Sequence, residues 1–179
     1  MIQAYLAQVN ALEAPPTAAH ETAERPIELG EIRFLDSAGR SRDGFETGER
    51  MLVEIDYRVH LPVLNPVFSL SVQGPDGRTV HATDTALDGL RLDALDHDGR
   101  IRLEYPSLQL LPGSYRVTAG IAAGPGGAAG LIQVTDGGDG FSVVSESREK
   151  GLVRLEHRWS QPALPIPAGV RRRKPGRAG

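Results

Sequence analysis

Along much of this chain hydrophobic and polar residues alternate one for one, and the longest clean run is Met51 to Val59. Met51, Val53, Ile55, Tyr57 and Val59 share one face, while Leu52, Glu54, Asp56, Arg58 and, just beyond, His60 share the other. A period of two puts successive side chains on opposite faces of a pleated strand, so the run predicts a half-buried antiparallel strand. Thr47-Gly48-Glu49 supplies a turn before it, with Gly48 free to take a positive φ. Pro62 and Pro66 bracket its exit, because proline lacks the N–H that a central ladder needs.

Shorter alternations flank this strand. Ile27 to Leu35 turns around Leu29, Ile32 and Phe34 and is closed by Asp36-Ser37-Ala38-Gly39. Val67 to Gln73 and Thr79 to Thr83 are joined by Pro75-Asp76-Gly77, the signature of a hairpin. Arg100 to Tyr105 alternates Ile101, Leu103 and Tyr105 with Arg102 and Glu104, and Leu111-Pro112-Gly113-Ser114 then leads into Tyr115, Val117, Ala119 and Ile121. Leu131 to Val134, Phe141 to Val144 and Val153 to Trp159 predict three further strands. About eight short strands at even spacing predict an all-β fold, a β-sandwich with immunoglobulin-like or jelly-roll wiring. Ile2, Leu6, Val9 and Leu12 stand at helical spacing instead, predicting a short N-terminal helix. The expected organisation is therefore a helix at 1–13, a proline-rich linker at 14–26, the sandwich at 27–144, a hinge with a last strand at 145–161, and a basic tail at 162–179.

Composition supports this division. The 21 glycines and 13 prolines in 179 residues favour turns over long helices. Cysteine is absent, which excludes disulfides, thiolate metal sites and a cysteine nucleophile. The net charge of −3 conceals an asymmetry: five basic residues, Arg171, Arg172, Arg173, Lys174 and Arg177, lie in the tail, leaving 15 basic and 23 acidic groups before it. An acidic body does not suit nucleic acid, which demands a basic face to neutralise phosphates. No apolar run approaches the roughly 20 residues that span a bilayer, and the N-terminus lacks a signal-peptide layout, so the expected compartment is cytoplasmic.

No catalytic constellation is visible. The run Gly124 to Gly130 lacks the Lys-Ser/Thr ending of a phosphate loop, and no Gly-x-Ser-x-Gly elbow is present. Asp93, Asp96, His97 and Asp98 lack the twelfth-position glutamate of a calcium loop. No metal, cofactor or catalytic residue is expected. A carbohydrate-active enzyme would need paired carboxylates across a cleft, for which Glu54, Asp56 and Glu104 are the candidates.

The order of motifs resembles a known family. Gly30-Glu31-Ile32, Asp36 to Gly39, Phe45-x-Thr47-Gly48-Glu49, the Val53 to Tyr57 strand, Asn65-Pro66-Val67-Phe68, Asp84-Thr85, Gly99-x-Ile101 and Leu110-Leu111-Pro112-Gly113-x-Tyr115 are together similar to the C-terminal domain of Wzt-type ATP-binding subunits of O-antigen ABC transporters. The resemblance covers Ile27 to Val144, and Met1 to Glu13 resembles the helical end of the ATPase domain before it; Walker and signature sequences are absent. It implies a non-catalytic β-sandwich that recognises the end of a lipid-linked polysaccharide of O-antigen type before export. The implied location is the cytoplasmic side of the inner membrane, with the ATPase domain and membrane permease as partners. It also implies a homodimer formed by exchange of the C-terminal strand, and a purely structural or dimerising sandwich is the alternative. Parity supplies candidate sugar contacts: Arg58 and His60 on the polar face of the central strand, His81 and Thr83 opposite Val80 and Ala82, and Arg102 and Glu104 opposite Ile101 and Leu103.

Overall fold

The structure, a computed structural model, describes residues 25–124 and 130–160. The expected N-terminal helix, most of the linker, the interior of the glycine-rich run and the basic tail lie outside the described residues. Among those described, the strands in chain order are β1 (Ile27–Leu35), β2 (Gly44–Glu46), β3 (Met51–Val59), β4 (Val63–Leu64), β5 (Val67–Gln73) and β6 (Thr79–Asp84). They continue as β7 (Ala94–Leu95), β8 (Gly99–Tyr105), β9 (Gly113–Ala123), β10 (Gly130–Val134) and β11 (Gly140–Val144).

The strand of longest alternation, β3, is the centre of a three-stranded antiparallel sheet ordered β1-β3-β8. Facing it is a six-stranded sheet ordered β2-β11-β9-β5-β6, in which β10 pairs with the second half of β9. β4 and β7 form a separate two-residue ribbon. The inward set of β3, Met51, Val53 and Ile55, packs with Phe68, Leu70 and Val72 of β5 and Tyr115, Val117, Ala119 and Ile121 of β9 in one core. Phe141 is the aromatic hub of one end, its ring centroid 5.2 Å from Phe34, 5.6 Å from Tyr115 and 6.1 Å from Phe45.

Local chemistry explains the departures from plain alternation. Leu29 and Ile32 both face inward although three positions separate them, which a strict period of two forbids; the register shifts between them as a bulge that takes up Gly30 and Glu31. Gly48 has φ 90° in the turn before β3. Asp36 closes the turn after β1, its carboxylate accepting from the Ala38 and Arg40 amides at 2.8 and 3.0 Å and from the Arg40 side chain at 2.9 Å. Gly140 is required by close approach, since a Cβ there would stand 2.5 Å from the carbonyl oxygen of Tyr115.

The Leu111 to Ser114 turn carries the chain from β8 in one sheet to β9 in the other. One expectation is not met within the single chain. The predicted strand Val153 to Trp159 is reduced to a single bridge, Val153 to Leu110; beyond it Leu155 and Trp159 are 73% and 93% exposed. The alternation there has no neighbouring strand to pair with among the described residues, and pattern alone cannot make a ladder.

The tie that holds this C-terminal segment is Tyr115. Its buried hydroxyl donates to the carbonyl of Leu111 at 2.7 Å and lies 3.3 Å from that of Leu152, while the Leu111 amide also donates to Leu152 at 3.0 Å. Tyr115→Phe keeps the packing and removes this bond, so urea unfolding should show a loss of about 1 kcal/mol with an unchanged slope. A loss below the error of the measurement would place the segment's anchorage elsewhere.

Candidate functional site

The outer face of the three-stranded sheet is an ionic lattice. Register sets Arg33 of β1 and Arg102 of β8 directly opposite Glu54 of β3, and Arg100 opposite Asp56. Opposite charges at facing positions attract across strands. Arg33 Nη2 lies 2.7 Å from both Glu54 Oε1 and Asp56 Oδ1, Arg102 Nε lies 2.5 Å from Glu54 Oε2, and Arg100 Nε lies 3.0 Å from Asp56 Oδ1. Glu54 thereby becomes only 3% exposed although it points away from the core. The hydrogen bond from Arg102 holds its carboxyl below the usual carboxylate range, with help from Arg33 and against the opposing effect of burial. Glu104 is lowered likewise by Arg50, 2.7 Å away. The proton donor of a glycosidase pair has its carboxyl shifted the other way.

On the same face lies an open polar depression of about 540 Å³, lined by Glu28, Asp56, Arg58, Asp98 and Arg100 with Gly30 and Gly99. The absent side chain at Gly30, whose Cβ would sit 3.4 Å from that of Asp56, leaves its floor open. Arg58 is exposed, and its side chain has no ion-pair partner among the described residues. His60 lies outside the lining, its Nε2 3.5 Å from Glu28 Oε2.

A second concavity opens between the sheets. β8 and β6 are the edge strands of their sheets on the same side of the sandwich, and a cleft of about 190 Å³ separates them. Ile55, Phe68, Leu70, Ile101 and Leu103 form its apolar floor; Thr83, Asp84, Asp88 and Arg102 supply polar groups, and Leu90 adds an apolar wall. Thr83 Oγ1 donates to Asp88 Oδ2 at 3.0 Å. His81 and Tyr105 join the two edge strands, His81 Nδ1 lying 3.0 Å from the Tyr105 hydroxyl with the rings edge to face. Burial pushes the His81 imidazole down and the Tyr105 phenol up.

The six residues expected to contact sugar thus divide. Thr83 and Arg102 meet on the cleft, with His81 on the neighbouring inward position of β6, whereas Arg58 lines the depression and His60 flanks it. Glu104 is engaged by Arg50 outside both concavities. The orientation of β6 is a correction: Thr83 pairs with Leu70 and His81 with Val72, and paired residues share a face, so these two lie on the face of β6 turned toward the other sheet, Thr83 half-buried and His81 still exposed at the rim. An edge strand tolerates polar residues on its inward face because the rim of the sandwich stays wet. Asp88 lies in the Asp84 to Asp98 loop, the alternative location for the site, but neither it nor Tyr105 is singled out by the sequence; the loop has no periodicity, while Tyr105 gave a signal as the last inward position of the Arg100 to Tyr105 alternation.

A three-stranded antiparallel sheet packed on a mixed six-stranded one, with a half-apolar, half-polar cleft at their open edge, defines a β-sandwich. The family model of the Wzt C-terminal domain matches residues 19–155, and the chain belongs to that family. It is 30% identical over 150 residues to the O-antigen export system ATP-binding protein RfbB of Myxococcus xanthus, covering 83% of this chain. The chain spans 33% of the length of that relative. The crystal structure of the C-terminal domain of wzt has the same fold, with a TM-score of 0.69 over 79% of this chain and 87% of that one at 10% identity. Among the described residues no helix is long and apolar enough to cross a membrane.

The lattice generates a pH prediction. Folding lowers the pKa of Glu54, so its stabilising contribution is complete above the unfolded value of about 4.3 and disappears as pH falls through the lower folded value. Glu54→Gln should cost about 1–3 kcal/mol at pH 7, less than for a deeply buried pair because Arg100 and Arg102 are partly solvated. The gap between wild type and variant should narrow as urea unfolding is repeated toward pH 3. A gap independent of pH would show that the charge of Glu54 is not what stabilises the sheet.

Proposed function

We propose that this chain is a non-catalytic carbohydrate-binding domain that recognises the end of a lipid-linked O-antigen or related polysaccharide before export. The cleft between β6 and β8 is its site. The observation that carries this reading is the pairing of an apolar floor, Phe68, Leu70, Ile101 and Leu103, with Thr83, Asp88 and Arg102 on the rim of a cavity about the size of one sugar ring. A pyranose has apolar C–H faces and polar hydroxyl edges, and the two halves of the cleft complement them. Membership of the Wzt C-terminal family and the similarity to an O-antigen export ATP-binding protein support the context: an ATPase domain and membrane permease as partners, on the cytoplasmic side of the inner membrane.

Thr83→Val and Asp88→Asn should each weaken binding on an array of lipid-free O-polysaccharides with intact non-reducing ends by about tenfold. Their stability should change by no more than about 1 kcal/mol, because Asp88 is exposed, Thr83 is half-buried on the cleft, and the bond between them is solvent-exposed. Full binding by both variants would remove the cleft from the reading.

A second reading, dimerisation, is favoured by one observation. Leu155 and Trp159 are exposed just past the point where Val153 bridges to Leu110, and a strand-forming apolar segment of this kind pairs with an edge of a second copy. Truncation after Arg154 keeps the Leu152 contacts and removes that segment, and sedimentation should then report a monomer where the full chain sediments as a dimer. An unchanged mass would place the interface elsewhere.

A further inference from the structure

The depression and the cleft are neighbours. Arg100 lines the first and Arg102 the second, two positions apart on β8 and on the same face, hence about 7 Å apart along the strand. Both guanidinium groups converge on Glu54, Arg102 Nε at 2.5 Å and Arg100 Nη1 at 3.8 Å, and Asp56 holds Arg100 from the other side. The ridge between the concavities is therefore fixed in place. It is also incompletely used: a guanidinium has five N–H donors, and these side chains remain 58% and 61% exposed. Beyond the ridge, Asp98 and Glu28 offer acceptors and Arg58 offers donors.

We propose that the two concavities form one continuous groove for an oligosaccharide segment, with the terminal sugar in the cleft and the following sugars crossing the Arg102–Arg100 ridge into the depression. The charge of the depression specifies the class of glycan. Glu28, Glu31, Asp56 and Asp98 set four carboxylates against three guanidinium groups, Arg58 and Arg100 in the lining and Arg33, which pairs with Glu31 at 3.2 Å and Asp56 at 2.7 Å; the depression stays net negative, so uronate- or phosphate-bearing repeats meet like charge, and neutral repeats do not. Hydroxyls donate to the carboxylates and accept from the arginines. The substrate is a neutral glycan read over more than one residue. This inference rests on the cleft being a glycan site.

The test uses the full chain, an array of lipid-free O-polysaccharides of neutral mannan, galactan and rhamnan type beside uronate-bearing ones, and calorimetry on those that bind and on their terminal disaccharides. Neutral polymers should bind and uronate-bearing polymers should not. Arg58→Ala should weaken the polymer about tenfold and leave the terminal disaccharide within about twofold, whereas Asp88→Asn should weaken both about tenfold. Equal effects of Arg58→Ala on polymer and disaccharide, or none on either, would overturn the continuous groove while leaving the cleft intact. Preference for uronate-bearing polymers would overturn the assigned class. Absence of binding to every polymer would remove the cleft reading and this inference with it.

Discussion

A three-stranded sheet cannot roof a six-stranded one. The sandwich packs β1, β3 and β8 over a wider sheet, so one side of the interior must be left without a lid. On the β1 side a side chain reaches across the gap: the Leu29 amide donates to Gln133 Oε1 of β10 at 2.7 Å. On the β8 side the His81–Tyr105 contact spans the sheets, and the space beside it is the cleft. The inward residues of β8, Ile101, Leu103 and Tyr105, are consequently half-exposed, although they would be core positions under a fourth strand. The mismatch in strand number turns core residues into the accessible floor of a cleft without any change in their chemistry.

Such a narrow sheet has little to hold it flat except its own two faces. The inner face is ordinary apolar packing. The outer face replaces the missing layer with charge: Glu54 binds strands on both of its sides at once, through Arg33 and Arg102. Isolated surface ion pairs contribute little, but in a lattice each side chain is already restrained by its neighbours, and the entropy lost for each added contact falls. The same lattice fixes the arginines that border both concavities, so stability and the shape of the candidate groove depend on one carboxylate.

The period-two pattern made the long strands, the β5–β6 hairpin and the turns at Asp36 to Gly39 and Gly48 legible in the sequence, because those elements are decided by neighbours along the chain. The two-residue strands β4 and β7 carry too few residues to show a period. The Val153 to Trp159 pattern is incomplete for a different reason: alternation states that a segment suits a strand, and a partner edge decides whether it becomes one. The candidate site was partly legible. Parity correctly separated Arg102 from Ile101 and Leu103, yet it could not tell which face of β6 looks inward, since Val80 and Ala82 are no larger an apolar claim than the edge position imposes. That choice is made by the register with β5, where Thr83 meets Leu70.

The likeness to the crystal structure of the wzt C-terminal domain at 10% identity shows how little sequence this fold requires. What must persist is an apolar residue at every second position of the long strands and glycine where backbones touch, as at Gly140 against Tyr115. Cleft-rim and depression positions such as Thr83, Asp88, Arg58 and Asp98 bear no part of that requirement. They can be exchanged without opening the core, because their side chains meet solvent and one another instead of the packed interior. Selection for a new glycan would therefore act on these rims first, and the unroofed edge supplies a place where it can do so at small cost to stability.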